Sequence, residues 1–281
     1  MMKNTELKKT LDIVAKISIE TGAKLMKYQK KLNRLNITSK EAQGVFSEAD
    51  VEAEKHIIKS LKRDFPTIPI LGEESAFQDY QGKKEAYQKY AQMDYAWVVD
   101  PLDGTNNFLN GMDYFAVCIS LVKKGQPILG VVHRPTSAHT FMAYQNGGSF
   151  FKVGAKRAKK IFNNRLSKKL NESMLVTGFI TEKGKPNQKE FDLFWHMMGT
   201  CRGIRRMGSA ALDLCYVAEG TFDGFWERGL APWDMAAAAI ICQEAGVKVT
   251  DYNAKKFSPF GETILAARSP VHAQMKKLIN S

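Results

Sequence analysis

Between Trp97 and Phe108 the chain reads W-V-V-D-P-L-D-G-T-N-N-F, which sets two carboxylates, a glycine and a hydroxyl side by side. Trp97, Val98 and Val99 extend the apolar run from Tyr95 and Ala96 into a short β-rich stretch. Pro101 has no N–H to give a sheet ladder, so the strand is expected to stop at Asp100. The fixed φ of Pro101 also biases Asp100 towards extended backbone, leaving Asp100 and Asp103 on a stiff turn. Gly104 allows close backbone approach and Thr105 adds a hydroxyl. Such a turn suits a hard, oxygen-seeking cation and the phosphate that the cation carries. Asp, Gly and Pro also dominate ordinary turns. At usages of about 5–7 per cent, however, the fixed positions of D-P-x-D-G-T arise by chance in on the order of one chain in several thousand, which favours chemistry.

Further acids stand at the ends of other elements. A strand over Ile68–Leu71 runs into Gly72-Glu73-Glu74-Ser75, read here as a loop. Another over Phe222–Trp226 ends at Glu227. Pro232-Trp233-Asp234 opens an Ala-rich helix over Met235–Ala245, and Asp234 is also simply an acid where a helix start prefers one. Ser47 followed by Asp50 resembles a capping box, which makes Asp50 a capping-turn acid on this reading. Gly208-Ser209-Ala210-Ala211 starts a helix that runs through Val217 and is closed by Gly220.

The elements that must position these groups follow from periodicity. Leu7, Leu11, Val14, Ser18, Thr21, Leu25 and Tyr28 recur at helical spacing, predicting an amphipathic helix over Thr5–Tyr28. Ile37–Phe46 reads as irregular, Ser47–Arg63 as a second helix and Gln81–Gln92 as a surface helix. Phe115–Val122, Ile128–His133, Phe141–Tyr144 and Ser149–Val153 predict an antiparallel meander. Met174–Thr177 is a strand, and Phe191–Met198 a helix whose Phe191, Phe194 and Trp195 are expected in the core. From Gly203 strand and helix alternate, with Ile204–Met207, Val247–Val249 and Ile264–Ala267 as strands and Pro270–Ile279 as the last helix. The class is α/β. With no repeat, low-complexity tract or clear linker, residues 1–281 are read as one domain with lobes of roughly 1–170 and 171–281.

Composition narrows the class. With 281 residues and 44% hydrophobic content the chain can bury a full core. No stretch approaches the roughly 18 apolar residues of a membrane span, and the lysine-studded start lacks a signal core, so a cytoplasmic protein without a membrane partner is expected. Cys118, Cys201, Cys215 and Cys242 are scattered singly and read as reduced thiols. The net charge of +12 favours anionic substrates and admits nucleic acid. Its densest run, Lys152–Lys169, is expected as a solvated loop or edge, with Phe162 the one interleaved ring.

G-E-E-S at 72–75, D-P-L-D-G-T at 100–105, G-S-A-A at 208–211 and P-W-D-M-A-A-A at 232–238 resemble the inositol monophosphatase family, in its order and at about its spacing. The resemblance spans nearly the whole chain and is nearest the bacterial inositol-1-monophosphatases in R-R-M-G-S-A-A-L-D-L and G-L-A-P-W-D. It implies a layered αβαβα sandwich of the sugar phosphatase type. It also implies that Glu73, Asp100 and the Leu102 carbonyl hold one Mg²⁺, that Asp100, Asp103 and Asp234 hold a second, and that a third, weaker ion shares Glu73 through waters. An all-oxygen set favours Mg²⁺ or Mn²⁺ over Zn²⁺. By the same resemblance Thr105, bonded to Asp50, orients and deprotonates the attacking water, and the Gly104 and Thr105 amides cradle phosphate. Glu227, Asp103 and Asp234 face the sugar, with Gly208, Ser209 and Ala210 lining the pocket; Ala231 replaces a histidine of some animal members. Over Lys40–Ser47 the family's K-x-x-x-x-D-x-V-T pattern is altered, with Gly44 and Ser47 in place of its Asp and Thr, in a flap that helps retain the third ion.

The leading expectation is a Mg²⁺-dependent phosphomonoesterase for inositol monophosphate or a similar polyol phosphate, inhibited by Li⁺ and homodimeric as family members usually are. Fructose 1,6-bisphosphate, histidinol phosphate and adenosine 3′,5′-bisphosphate are alternative substrates that the motifs do not separate. A different class is a protein binding RNA or the transcription machinery, with residual phosphatase activity. A third reading, motivated by Gly44, is an inactive homologue.

Overall fold

The computed structural model describes residues 2–32, 37–39, 45–80, 84–162, 169–179 and 187–280, so Lys40 and Gly44 of the flap lie outside the described residues. Helix α1 (Asn4–Gln29) buries the predicted stripe, including Leu7, Leu11, Val14 and Leu25. Strands β1 (Ile37–Ser39) and β2 (Val45–Ser47) then pair antiparallel where the sequence reads as irregular. Ile37, Thr38, Val45 and Phe46 are β-branched or aromatic, which favours such pairing. Ser47 caps α2 (Glu48–Asp64), with the Asp50 carboxylate accepting the Ser47 N–H at 2.8 Å.

Strand β3 (Ile70–Gly72) passes directly into α3 (Glu73–Tyr80), followed by the single turn α4 (Lys84–Tyr87) and a 3-10 turn over Gln88–Gln92. The predicted surface helix is thus split, and its residues 81–83 lie outside those described. Next come β4 (Ala96–Asp103), the short α5 (Thr105–Leu109) and the meander β5 (Ala116–Lys123), β6 (Gln126–Arg134), β7 (His139–Tyr144), β8 (Gly148–Val153) and β9 (Lys159–Ile161). The remainder is β10 (Met174–Thr177), α6 (Gln188–Thr200), β11 (Gly203–Arg205), α7 (Ala210–Glu219), β12 (Gly224–Arg228), α8 (Pro232–Glu244), β13 (Lys248–Thr250), β14 (Thr263–Ala267) and α9 (Ser269–Ile279).

Among the described residues β3 to β9 form a seven-stranded sheet in chain order, and β11-β10-β12-β14-β13 form a five-stranded one. Alternation along β5 and β6 assigns the faces of the larger sheet. Val117, Ile119, Leu121 and Val131 pack with Leu11, Val14, Ile57 and Leu61 of α1 and α2. Cys118 and Val132 point the other way, onto Leu214, Ala237 and Ile241 of α7 and α8, with Phe225 and Ile264 of the smaller sheet beyond. The outer face of that sheet packs Leu175, Trp226 and Leu265 against Leu193 and Met197 of α6 and Val271 and Met275 of α9. The order is helix, sheet, helix, sheet, helix, which is the layered αβαβα sandwich expected. Each fully buried Leu, Ile or Val stabilises it by roughly 1.5–3 kcal/mol.

Two expectations are corrected. Strand β4 does not stop at Asp100 but continues through Pro101 to Asp103. Its pairing with β5 shifts register between Asp100 and Asp103, so the proline falls in a bulge where no ladder bond is needed; β3 pairs only as far as Val99 on the other side. On α6, Phe191 and Trp195 are 58% and 67% exposed, not core, because Leu193 and Met197 define the buried face. Phe194 is half-buried, its ring edge-on to Phe179. The cysteines are free, with Cys118, Cys215 and Cys242 buried and Cys201 half-buried.

His133 on β6 gives this fold an acid sensitivity. It is buried, with Nδ1 2.9 Å from Thr140 Oγ1, and burial pushes its pKa down to about 4. An unfolded histidine titrates near 6.5. Between these values the unfolded chain binds more protons, so this residue's contribution falls as pH drops from about 6.5 to about 4. Buried acids raised by desolvation, such as Asp213, act in the opposite sense, so a difference measurement is needed. The stability advantage of wild type over His133→Gln in urea unfolding should shrink as pH is lowered through that window. An advantage that does not change with pH contradicts the assignment.

Candidate functional site

The acids of D-P-L-D-G-T stand at the bulged end of β4, and α8 brings a third to them from another layer. Carboxylate oxygens of Asp100, Asp103 and Asp234 all lie within 4.8 Å of one another. Each is aimed by hydrogen bonds of its own. Asp100 Oδ1 accepts the Leu102 N–H at 2.8 Å, and Asp234 Oδ2, in the first turn of α8, accepts the Ala231 N–H at 2.7 Å. Asp103 Oδ2 accepts the Ser209 hydroxyl at 2.5 Å and the Ala211 N–H at 2.9 Å. Ser209 is the N-cap of α7, so the start of that helix is tied to the second acid of the motif.

Burial and mutual repulsion set the electrostatics of the cluster. Asp100 is held well above the usual carboxylate range, first by burial and then by Glu73, Asp103 and Asp234. Burial raises Asp103 to about 6 despite the bonds from Ser209 and Ala211. Three crowded acids, two of them buried, repel one another, and a divalent cation would relieve that repulsion. The donors are all oxygens, the set that Mg²⁺ or Mn²⁺ takes. The residues therefore fit the group that the motif implies.

The other predicted residues surround this trio. Glu73 opens α3 instead of sitting in a loop, and it lies outside the 4.8 Å group while being the largest charge acting on Asp100. Thr105 Oγ1 is 3.1 Å from Asp50 Oδ1 and 3.0 Å from the Leu102 carbonyl oxygen. Asp50 thus serves two purposes, since its Oδ2 also accepts the Ser47 N–H and hydroxyl. Gly104 has φ 94°, and a Cβ there would meet the Tyr114 carbonyl at 3.0 Å and the Gly208 carbonyl at 3.3 Å. That contact places Gly208, Ser209 and Ala210 beside the turn at Gly104. Glu227 on β12 is buried and pushed well up by desolvation, then by Asp234, Asp213 and Asp103, with Arg206 a partial offset.

Residue-by-residue reading missed two supports. Asn107 Nδ2 donates to the carbonyls of Tyr114 at 2.7 Å and Met207 at 2.8 Å, stitching α5 to the loop before Ser209. Asp213 accepts the Tyr114 hydroxyl at 2.7 Å from within α7. Met207 is 100 positions from Asn107 and Tyr114 is 99 from Asp213, so no local pattern could reveal these two pairings.

Comparison with known proteins points to one family. The family model described as the inositol monophosphatase family matches residues 6–281. An inositol-1-monophosphatase of Rhizobium meliloti is 36% identical over 247 residues, covering 86% of this chain and 85% of that protein. A Nus factor SuhB of Pseudomonas aeruginosa is 35% identical over 246 residues, with coverage of 86% and 85%. The crystal structure of the extragenic suppressor protein suhB of Bartonella henselae superposes with a TM-score of 0.83 at 30% identity, covering 97% of this chain and 99% of that one.

Proposed function

Since the chain belongs to the inositol monophosphatase family and is a metal-dependent phosphoric monoester hydrolase, we propose that it hydrolyses inositol monophosphate or a related small polyol phosphate with Mg²⁺. The observation that carries this reading is the trio of Asp100, Asp103 and Asp234 within 4.8 Å, beside the buried Glu227. Glu73, Asp100 and the Leu102 carbonyl would hold one ion, Asp100, Asp103 and Asp234 would hold another, and a weaker third would share Glu73. Bound there, the ions supply the positive charge that activates water and stabilises the phosphoryl group during in-line displacement.

The chain's own groups do the rest. Thr105 Oγ1, held at 3.1 Å by Asp50, orients the attacking water and takes its proton as the hydroxyl proton moves to Asp50. The Gly104 and Thr105 amides receive phosphate oxygens. Glu227 and Asp103 accept sugar hydroxyls, and a site built to bond hydroxyls rejects substrates lacking them. The net charge of +12 on the chain as a whole favours the approach of an anionic ester. We place the protein in the cytoplasm as a homodimer, with Li⁺ as an inhibitor.

A panel of inositol, fructose, histidinol and nucleotide phosphates, assayed for phosphate release with Mg²⁺ or chelator, tests this reading. Inositol monophosphate should turn over fastest, and chelation should abolish release. Turnover in chelator, or preference for a bisphosphate, overturns it.

A second reading rests on the edge of the larger sheet. Lys156, Arg157, Lys159 and Lys160 are exposed on the β8–β9 hairpin, next to Phe162 at 62% exposure. This is a surface for a polyanion with one stacking ring, and similar chains carry the name Nus factor. Arg165 and Lys168 of the same run lie outside the described residues. RNA binding on this reading weakens steeply with salt and survives Asp100→Asn.

A further inference from the structure

Glu54 follows Asp50 by four positions on α2, so their carboxylates leave the same face of the helix. Asp50 reaches Thr105, whereas Glu54 turns to α3. Its Oε2 accepts the Glu74 N–H at 2.8 Å, and its Oε1 accepts the Ser75 N–H at 2.8 Å together with the Ser75 hydroxyl. These amides belong to the first turn of α3, where N–H groups find no partner within the helix. A side chain on the residue before the first turn ordinarily supplies the cap. Here that residue is Gly72, which has none.

The absence of that side chain makes room for the remote cap. A Cβ at position 72 would fall 2.5 Å from Glu54 Oε2 and 2.6 Å from its Cδ, and its three nearest atoms all belong to Glu54. The backbone itself does not demand glycine, because φ at Gly72 is not in the left-handed region. Glu54, 3% exposed, therefore caps α3 from a different element through space that Gly72 leaves open.

We propose that Glu54 is the positioning residue for Glu73, tying the start of α3 to the helix that holds Thr105 through Asp50 and so setting Glu73 against the aspartate trio. The proposal rests on the reading of Glu73 as a metal ligand. One helix, α2, would then register the starts of both α3 and α5.

Three variants test it: Glu54→Ala, Gly72→Ser and the double variant. In calorimetric titration with Mg²⁺, Glu54→Ala should bind about 10–100-fold more weakly, the scale of losing a group that orients a ligand. The Mg²⁺ concentration for half-maximal phosphate release should rise in parallel, with kcat recovered at saturating Mg²⁺. Gly72→Ser alone should also weaken binding, because its side chain displaces Glu54. In the double variant the serine caps α3 locally in the vacated space and should restore most of the affinity. The same substitution is thus harmful in one background and helpful in the other.

A double variant no better than Glu54→Ala, or Glu54→Ala with wild-type affinity, overturns the proposal. Hydrogen exchange at the Glu74 and Ser75 amides separates the causes. Fast exchange with unchanged affinity keeps the cap but denies it any hold on Glu73, slow exchange with unchanged affinity removes Glu54 from the cap, and only wild-type affinity in Glu73→Gln removes Glu73 from the ligand set. Should Glu54→Ala fail to fold, Glu54→Gln is read by the same titration, since its amide turns a donor towards N–H groups.

Discussion

Asp100→Asn should lower kcat on the order of a thousandfold while raising the melting temperature of the metal-free protein. The rate follows from charge. Asp100 is the acid assigned to both ions, and several kcal/mol of charge stabilisation, at about 1.4 kcal/mol per tenfold, is about a thousandfold. The stability follows from the same crowding. Burial, Glu73, Asp103 and Asp234 all push the Asp100 carboxyl upward, so the folded state without metal resists its ionisation. A raised carboxylate adds least stability once pH exceeds its folded pKa, and near neutrality its charge works against the fold. Asparagine removes that charge and keeps an oxygen for the Leu102 N–H, now accepted at 2.8 Å. Thermal unfolding in chelator and phosphate release with Mg²⁺ check the two halves together. A variant that melts lower than wild type, or one that keeps a tenth of its activity, contradicts this account of Asp100.

Gly130→Ala should be nearly as damaging although Gly130 lies on β6, outside the site. A methyl group there would stand 2.3 Å from the Ala237 carbonyl oxygen and 2.7 Å from Ile240 Cγ2, so the backbone of α8 must move. Overpacking costs about 1–3 kcal/mol or more. The gain from a stiffer unfolded chain is only about 0.4–1 kcal/mol, so overpacking wins. At about 2–4 °C per kcal/mol for chains of this order, the melting temperature should fall by several degrees. Asp234 precedes Ala237 by less than one turn of α8, so the shift reaches the trio, and a displacement of about 1 Å can cost on the order of a hundredfold in rate. Gly199→Ala is the control. A Cβ there meets nothing within 4 Å, and in helix α6 alanine should stabilise slightly. A Gly130→Ala protein with wild-type melting and turnover would show that β6 and α8 do not set Asp234.

These two substitutions also mark where sequence reading reaches and where it ends. The turn at Asp100 to Thr105 was readable because its chemistry is local: the acids, the glycine and the hydroxyl are neighbours in the chain. Asp234 was readable from its residues only as a helix-start acid, and resemblance to a family was needed to join it to Asp100 across 134 positions. The run of β4 through Pro101 was hidden because the bulge and the end of β3 at Val99 are properties of neighbouring strands. Glu73 looked like a loop residue because the cap of α3 comes from Glu54, not from Gly72. The exposure of Phe191 and Trp195 was equally hidden, since the helix period fits either face and the packing of Leu193 and Met197 decides between them.

Acids from separate layers of the sandwich are expected to form one site for divalent cations. Calorimetric titration of the purified, chelator-treated protein with Mg²⁺ tests it without any assumption about substrate. Saturable binding of at least two ions per chain is expected, weakened about tenfold or more in Asp103→Asn and in Asp234→Asn alike. Absence of saturable binding, or binding indifferent to both substitutions, would contradict it.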